Sequence, residues 1–361
     1  MKNILVVDDS ALMRRVLCDI IESDERFHVQ DRAANGLEAL DLLTRKSYDA
    51  VILDVNMPRM NGLELLKELQ ERKIQARVMM VSTDTCEGAK TTLDALELGA
   101  LDFVHKPGTA MDCRTADFKE KLLYTLGVVV ESRVLAYDKP ASTPTPVKVE
   151  RVAPVRPGSL ASRRMSVASG NKIVALASST GGPKALQAVV PKLPKELNAP
   201  VLIVQHMPAG FTASLAERLD TLSEVHVKEA AEGDVLEPGV VYIAMGGKHL
   251  NVVTNGSRYS IHYSDEPSRE GVKPCANYMY ESLTDSKFDQ IVCVVMTGMG
   301  ADGTKGIQNL KEKKKLHIIA QEASTCAVYG MPRSIVNAGL ADQIVPLEQI
   351  AQEITMNVGV R

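Results

Sequence analysis

The sequence predicts an α/β protein built from two doubly wound, mostly parallel-sheet domains joined by a flexible linker. Three observations predict it. Short apolar runs alternate with amphipathic helical patterns over residues 1–110. The same alternation resumes at Asn171 and continues to the end of the chain. Between them, residues 138–170 hold Pro140, Pro144, Pro146, Pro154 and Pro157 among Ser, Thr, Ala, Arg and Lys, with no apolar periodicity. Such a stretch cannot bury enough surface to offset its ordering entropy, and its prolines keep it extended. The expected division is therefore 1–137 (core to about 125), a basic linker 138–170, and 171–361. A length of 361 residues suits two domains.

In the first unit the expected strands are Asn3–Val7, Val29–Arg32, Ala50–Leu53, Arg77–Val81 and Leu101–Val104. Between the first two, Leu12/Val16/Ile20 and Met13/Leu17/Ile21 recur every four residues, which is one face of a helix. A last helix is expected over Thr115–Ala136. Strands this short, alternating with helices, indicate a parallel sheet covered on both faces. In the second unit the expected strands are Ile173–Ala177, Val201–Val204, Val225–Lys228, Val240–Ala244, Ile291–Met296, His317–Ala320 and Gln343–Val345. Asn251–Val253 and Tyr259–His262 flank Asn255-Gly256, a favoured two-residue hairpin turn, so they form an antiparallel appendix.

Charge and composition exclude several function classes. Net charge is −3, and residues 1–137 carry 18 basic against 23 acidic side chains, which weighs against nucleic-acid binding. No apolar run is long enough to span a membrane, and the opening Ile4-Leu5-Val6-Val7 reads as a strand and not a signal peptide. The expectation is a cytoplasmic protein with no direct membrane insertion. The six cysteines show no paired or metal-ligand spacing and are expected to be small buried hydrophobes.

Asp8 and Asp9 lie where the first expected strand ends, Asp54 where the third ends. In a doubly wound sheet those ends flank the ligand crevice. Three converging carboxylates repel one another and favour a hard cation such as Mg²⁺. Ser82 ends the fourth strand and Lys106 follows the fifth, so a hydroxyl and an ammonium stand at the same rim. Val6-Val7-Asp8-Asp9-Ser10, Leu53-Asp54-Val55-Asn56-Met57-Pro58, Met80-Val81-Ser82 and Phe103-Val104-His105-Lys106-Pro107 resemble the receiver domain of two-component response regulators. The resemblance implies a flavodoxin-like strand order 2-1-3-4-5. It implies Asp54 as phosphoacceptor, with Asp8, Asp9, Asp54 and the Asn56 carbonyl around Mg²⁺. It further implies Ser82 and Lys106 as readers of the phosphoryl group and Phe103 as an aromatic switch.

The most informative stretch is Ala177-Ser178-Ser179-Thr180-Gly181-Gly182-Pro183, a Gly-rich turn between an apolar strand and a helical segment. A serine there stands proud of the backbone near a helix N-terminus, where N–H groups can receive charge developing on a carbonyl oxygen. Taken alone, the turn suits a phosphate loop or a plain turn better than a nucleophile, and context decides. His206 in Gln205-His206-Met207-Pro208 and Asp302 in Thr297-Gly298-Met299-Gly300-Ala301-Asp302-Gly303 occupy two further post-strand loops. Ester cleavage near neutral pH needs a nucleophile, a base, a group that orients the base and oxyanion donors. Ser179, His206 and Asp302 could fill the first three roles. The order Ser…His…Asp is not that of α/β-hydrolases. His226, His249, His262 and His317 lie within or beside strands and are not expected to be catalytic.

These stretches, with Gln205-His-Met-Pro-x-x-Phe-Thr-x-Ser-Leu-Ala-Glu-Arg-Leu219 and Tyr329-Gly-Met-Pro-Arg333, resemble the chemotaxis protein-glutamate methylesterases, the CheB family. The resemblance covers both domains and makes the second a Rossmann-like α/β esterase domain. It implies hydrolysis of glutamate γ-methyl esters on methyl-accepting chemotaxis receptors, with glutamine deamidation in some members. It implies Ser179, His206 and Asp302 as the triad, Thr180 in support, the Met299 backbone as an oxyanion donor, and no cofactor for the esterase reaction. It also implies a chemotaxis histidine kinase as phosphodonor and a receiver that inhibits until Asp54 is phosphorylated. One departure stands out. The family's usual Arg-Pro-Ser-Val-Asp appears here as Lys273-Pro274-Cys275-Ala276-Asn277.

Three rivals remain at this stage. A nucleotide-binding output domain would use the 178–183 loop, yet no Gly-Lys-Ser/Thr follows it. A transcriptional regulator would carry a small basic output domain, whereas 171–361 is large and slightly acidic. A degenerate esterase acting as a phosphorylation relay would leave Ser179, His206 and Asp302 idle.

Overall fold

The apolar alternation of residues 1–133 forms a five-stranded, wholly parallel sheet in the computed structural model, which describes residues 1–83, 86–107, 112–133, 171–256 and 258–361. The expected linker 138–170 lies outside the described residues. The first unit runs β1 (Lys2–Val7), α1 (Ala11–Glu22), β2 (Phe27–Ala33), α2 (Gly36–Arg45), β3 (Ala50–Asp54), α3 (Gly62–Glu71), β4 (Val78–Thr83), α4 (Cys86–Glu97), β5 (Asp102–Lys106) and α5 (Ala116–Glu131). Its strand order is β2-β1-β3-β4-β5, the order the receiver resemblance implies. The last helix therefore stops short of the expected span; residues 134–136 fall outside the described chain. Polar side chains set the helix starts. Ser10 accepts from Met13 N at the head of α1, and Asn61 and Glu64 form a reciprocal capping box on α3.

The second unit comprises β6 (Lys172–Ser178), α6 (Gly182–Val189), β7 (Val201–Gln205), α7 (Phe211–Leu222), β8 (His226–Glu229), β9 (Val240–Ile243), β10 (His249–Asn255), β11 (Arg258–Ser264), α8 (Ala276–Ser282), β12 (Gln290–Val295), α9 (Thr304–Lys311), β13 (Leu316–Gln321), α10 (Met331–Asn337), β14 (Gln343–Val345) and α11 (Leu347–Val358). Seven strands pair in parallel in the order β14-β13-β12-β6-β7-β9-β8. The order reverses on either side of β6, so the crevice beyond the carboxyl ends of β12, β6 and β7 is the switch point where such sheets bind ligands.

All nine strands expected in this unit are present. In the hairpin β10–β11, Asn255 pairs with Arg258, so Asn255 belongs to the strand and not to the expected turn. Gly256, directly after it, has φ +65°, a left-handed conformation that glycine adopts without a Cβ clash.

The two units share a core. One apolar cluster runs from Leu93, Leu96 and Phe103 of the first unit into Leu186, Phe211 and Leu215 of the second. The rings of Phe103 and Phe211 stack with centroids 4.6 Å apart. Around this contact, α4 lies against α7. Arg218 reaches Asp94 at 2.5 Å and Glu97 through Nε at 2.9 Å, with a second contact from Nη2 to Glu97. At the end of α5 the Arg133 N–H donates to Ala327 O at 3.1 Å. Among the described residues no helix is long and apolar enough to cross a membrane.

Candidate active site and phosphoryl pocket

Ser179, His206 and Asp302 follow β6, β7 and β12, three neighbouring strands of one sheet. Parallel strands all end at the same edge, so loops distant in sequence converge there. The turn after β6 is tight. Gly182 N donates to Ser179 O at 2.7 Å and Ser179 N to Thr297 O at 3.0 Å. Gly181 begins the turn into α6 at φ +74°. Gly298 permits the close approach of the β12 loop, since a Cβ there would lie 2.7 Å from the Ser179 Cβ.

Gln205 ties the turn after β6 to the loop after β7. Its Oε1 accepts from Ser178 Oγ at 2.7 Å, while its Nε2 donates to Ser179 O at 3.0 Å and His206 O at 3.3 Å. Thr297 Oγ1 donates to Thr180 O at 3.0 Å. Sequence reasoning passed over both residues. Their only signal was adjacency, Gln205 to His206 and Thr297 to the glycine loop, because polar residues at strand ends have many other uses.

His206 Nε2 lies 2.7 Å from Asp302 Oδ2, which leaves Nδ1 as the nitrogen able to accept a proton. Asp302 is 2% exposed and densely bonded. Its Oδ1 accepts from Gly303 N (2.8 Å), Asn277 N (3.0 Å) and Cys275 Sγ (3.0 Å), and its Oδ2 from Ala276 N (2.6 Å). Burial pushes this carboxyl up, but the His206 pair, the Cys275 thiol and the Ala276 N–H outweigh it and hold it below the ordinary carboxylate range. It is thus an ionised acceptor aimed at the imidazole. The Gly298 N–H is committed to Val328 O, whereas the exposed Met299 offers an N–H that meets no acceptor among the described residues.

The buried-hydrophobe expectation for cysteine needs a correction at Cys275. Five cysteines are free and buried, but the Cys275 thiol is a hydrogen-bond donor to Asp302. Three of the other histidines have partners elsewhere: His226 pairs with Asp220, His262 with Glu232, and His317 with Gln343. His249 is buried, and its Nδ1 accepts from Cys275 N at 3.2 Å.

The first unit reaches into this crevice. Thr180 Oγ1, one residue from Ser179, donates to Asp102 Oδ2 of β5 at 2.5 Å. No sequence signal marked Asp102, because a strand-start aspartate has no local reason to meet another domain.

At the carboxyl edge of the first sheet, Asp8, Asp9 and Asp54 place carboxylate oxygens within 4.8 Å of one another. Lys106 Nζ lies 2.8 Å from Asp8 Oδ2 and 3.3 Å from Asp54 Oδ1. Burial pushes the Asp54 carboxyl up to about 6, with Lys106 pulling it down and Asp8 pushing it up. Hard oxygen donors this close, two of them buried, suit a divalent cation. Ser82 is buried at the end of β4, and Asn56 is exposed two residues beyond Asp54. The Phe103 ring is stacked on Phe211 at the joint with α7.

Comparison with known proteins agrees with both halves. The family description "CheB methylesterase" matches residues 174–354, and "Response regulator receiver domain" matches residues 4–116. The chain is 42% identical to the protein-glutamate methylesterase/protein-glutamine glutaminase of Bacillus subtilis, over 98% of each chain. It is 41% identical to a protein of the same designation from Syntrophomonas wolfei, again over 98% of each. Among solved structures, the Thermotoga maritima CheB methylesterase catalytic domain is similar, with TM-score 0.51 and 39% identity. That match covers 52% of this chain and 99% of that one.

Proposed function

The chain belongs to the CheB methylesterase family, and from that premise we propose that it is a phosphorylation-activated serine esterase. Its substrates are glutamate γ-methyl esters on methyl-accepting chemotaxis receptors, and the same site deamidates receptor glutamines. The observation that carries the reading is the 2.7 Å His206–Asp302 pair beside the turn that presents Ser179. Ser179 Oγ attacks the ester carbonyl carbon while His206 Nδ1 takes its proton. The oxyanion that forms is held by backbone N–H groups, Met299 among them. Collapse breaks the C–O bond to the methoxy group, which leaves as methanol with the proton from His206. Water, deprotonated by His206, then hydrolyses the acyl-enzyme to glutamate. Asp302 keeps the imidazole in one tautomer and stabilises its cation. On glutamine the leaving group is ammonia.

Regulation follows from the joint. Asp102, Phe103 and α4 of the receiver pack against Thr180, Phe211 and Arg218, so the docked receiver stands over the approach to Ser179. Asp8, Asp9, Asp54 and the Asn56 carbonyl would hold Mg²⁺, which supplies charge neutralisation for phosphoryl transfer to Asp54. A chemotaxis histidine kinase is the donor. Lys106 and Ser82 then turn to the new oxygens, and the coupled shift at Phe103 weakens docking. The setting is cytoplasmic. The test is methanol release from methylated receptor membranes, with and without a phosphodonor. Release by the Ser179→Ala variant at a tenth of the normal rate or more would overturn the reading.

A further inference from the structure

Asp302 carries five hydrogen bonds, and three of them come from backbone N–H groups at Ala276, Asn277 and Gly303. The other two come from side chains, His206 on Oδ2 and Cys275 on Oδ1. Among the described residues, Cys275 is therefore the position, apart from His206, where an exchange of side chain changes a hydrogen bond to Asp302. The thiol is fully buried, and its Sγ is 3.0 Å from Oδ1. Burial, reinforced by the adjacent Asp302 charge, holds it well above the ordinary thiol range, so it remains an S–H donor. Its backbone is fixed from the far side as well. Cys275 N donates to His249 Nδ1, whose ring rests against Tyr278 at 4.6 Å, with the Arg269 guanidinium over Tyr278 at 5.6 Å.

We propose that Cys275 is a positioning residue for the esterase reaction: its thiol turns the Asp302 carboxylate so that Oδ2 faces His206, and the weakness of that bond leaves the carboxylate strongly basic toward the imidazole. The inference rests on the triad reading above. The physical argument is one of competition. A carboxylate shares its charge among its donors, and a thiol is a weak donor. A serine hydroxyl, as in the family's usual stretch, would draw more charge onto Oδ1 and stabilise the imidazolium less. Loss of the thiol at Oδ1 would stabilise the imidazolium more, and would leave the Asn277 and Gly303 N–H groups alone to fix that oxygen.

Other titratable groups face this pair. Asp102 of β5 lies within electrostatic reach of His206, His249 and Lys273 lie behind Cys275, and Glu270 is linked through Asn277 Nδ2. Tyr280 beneath Asp302 is bonded to Ala175 O and Val294 O.

The experiment measures methanol release by the full-length chain across pH for wild type, Cys275→Ala and Cys275→Ser, each also in an Asp102→Asn background to remove the second carboxylate. Thermal unfolding is recorded alongside. Cys275→Ala should lower kcat about tenfold to a hundredfold with KM within about twofold, because misplacement acts on the reacting geometry. Its acid limb of kcat/KM should move to higher pH by about half a unit or more. Cys275→Ser should recover most of kcat, with the acid limb moved to lower pH than wild type. If Cys275→Ala does not fold, the direction of the Cys275→Ser limb decides alone. Unmoved limbs in both variants, or a serine that fails to rescue, overturn the proposal. If Ser179→Ala is inactive while the Cys275 variants behave as wild type, only the positioning role fails. If Ser179→Ala is active, the triad reading fails with it.

Discussion

Thr180, the neighbour of Ser179, donates its hydroxyl to Asp102 of the receiver at 2.5 Å. A hydrogen bond to a carboxylate is among the stronger kinds, of order 1.5–3 kcal/mol, and this one sits at the mouth of the crevice. Removing it should loosen docking while every hydrogen bond of Ser179, His206 and Asp302 stays in place. Asp102→Ala is therefore expected to raise unphosphorylated turnover several-fold toward that of a 171–361 fragment. Initial rates on methylated receptor membranes check this, and an unchanged basal rate would count against a docking role for Asp102.

The ion pairs of Arg218 with Asp94 and Glu97 are partly exposed, so each contributes about 0–1 kcal/mol. Arg218→Ala should cause a smaller rise in basal turnover than Asp102→Ala. Salt should reproduce part of its effect in the wild type, because screening acts on exposed pairs. A rate insensitive to both would mean the apolar contact of Phe103 on Phe211 does all the holding.

The three reacting groups should act as a unit. Ser179→Ala, His206→Ala and Asp302→Asn are each expected to lower kcat by about 10³-fold or more, and the double variants by little beyond the worst single. Additive losses in a double-variant comparison would argue that the residues act separately.

Asp302 also links stability to pH. Its folded-state carboxyl is held below the ordinary range, so the native state favours the ionised form. That stabilisation is present above the unfolded value of about 3.9 and is lost as pH falls through the lower folded value. Asp302→Asn should flatten the acid side of the stability curve relative to wild type, measured by denaturant unfolding between about pH 5 and 3. An identical slope in the two proteins would show that Asp302 is not a linked group.

Metal removal should separate the two domains. EDTA is expected to abolish activation by acetyl phosphate while basal methanol release continues, and Asp54→Ala should be unresponsive to the donor with Mg²⁺ present. Activation of Asp54→Ala by acetyl phosphate would remove Asp54 from its assigned role.

Much of this protein was legible before any coordinates. Strand-length apolar runs at Ile4–Val7, Ile173–Ala177 and Ile291–Val295 build sheets buried on both faces, and chain order alone puts Asp8, Ser179 and His206 just past strand ends, Asp54 at the last residue of β3 and Asp302 in the loop after β12. Local backbone preference and hydrophobic burial act over a few residues, so the sequence displays them directly. What the tertiary structure decided was which of those ends meet. The reversal of strand order at β6 brings the loops after β12, β6 and β7 to one crevice, and periodicity carries no record of strand order. The same limit hid what Cys275 does: the sequence marks it as a departure from the family's stretch, but only the fold brings it, at the head of α8, to within 3.0 Å of Asp302. It hid Asp102 as well. A contact between residues 78 apart in sequence depends on how two finished domains fit, and that fit depends on complementary surfaces that exist only after each has folded.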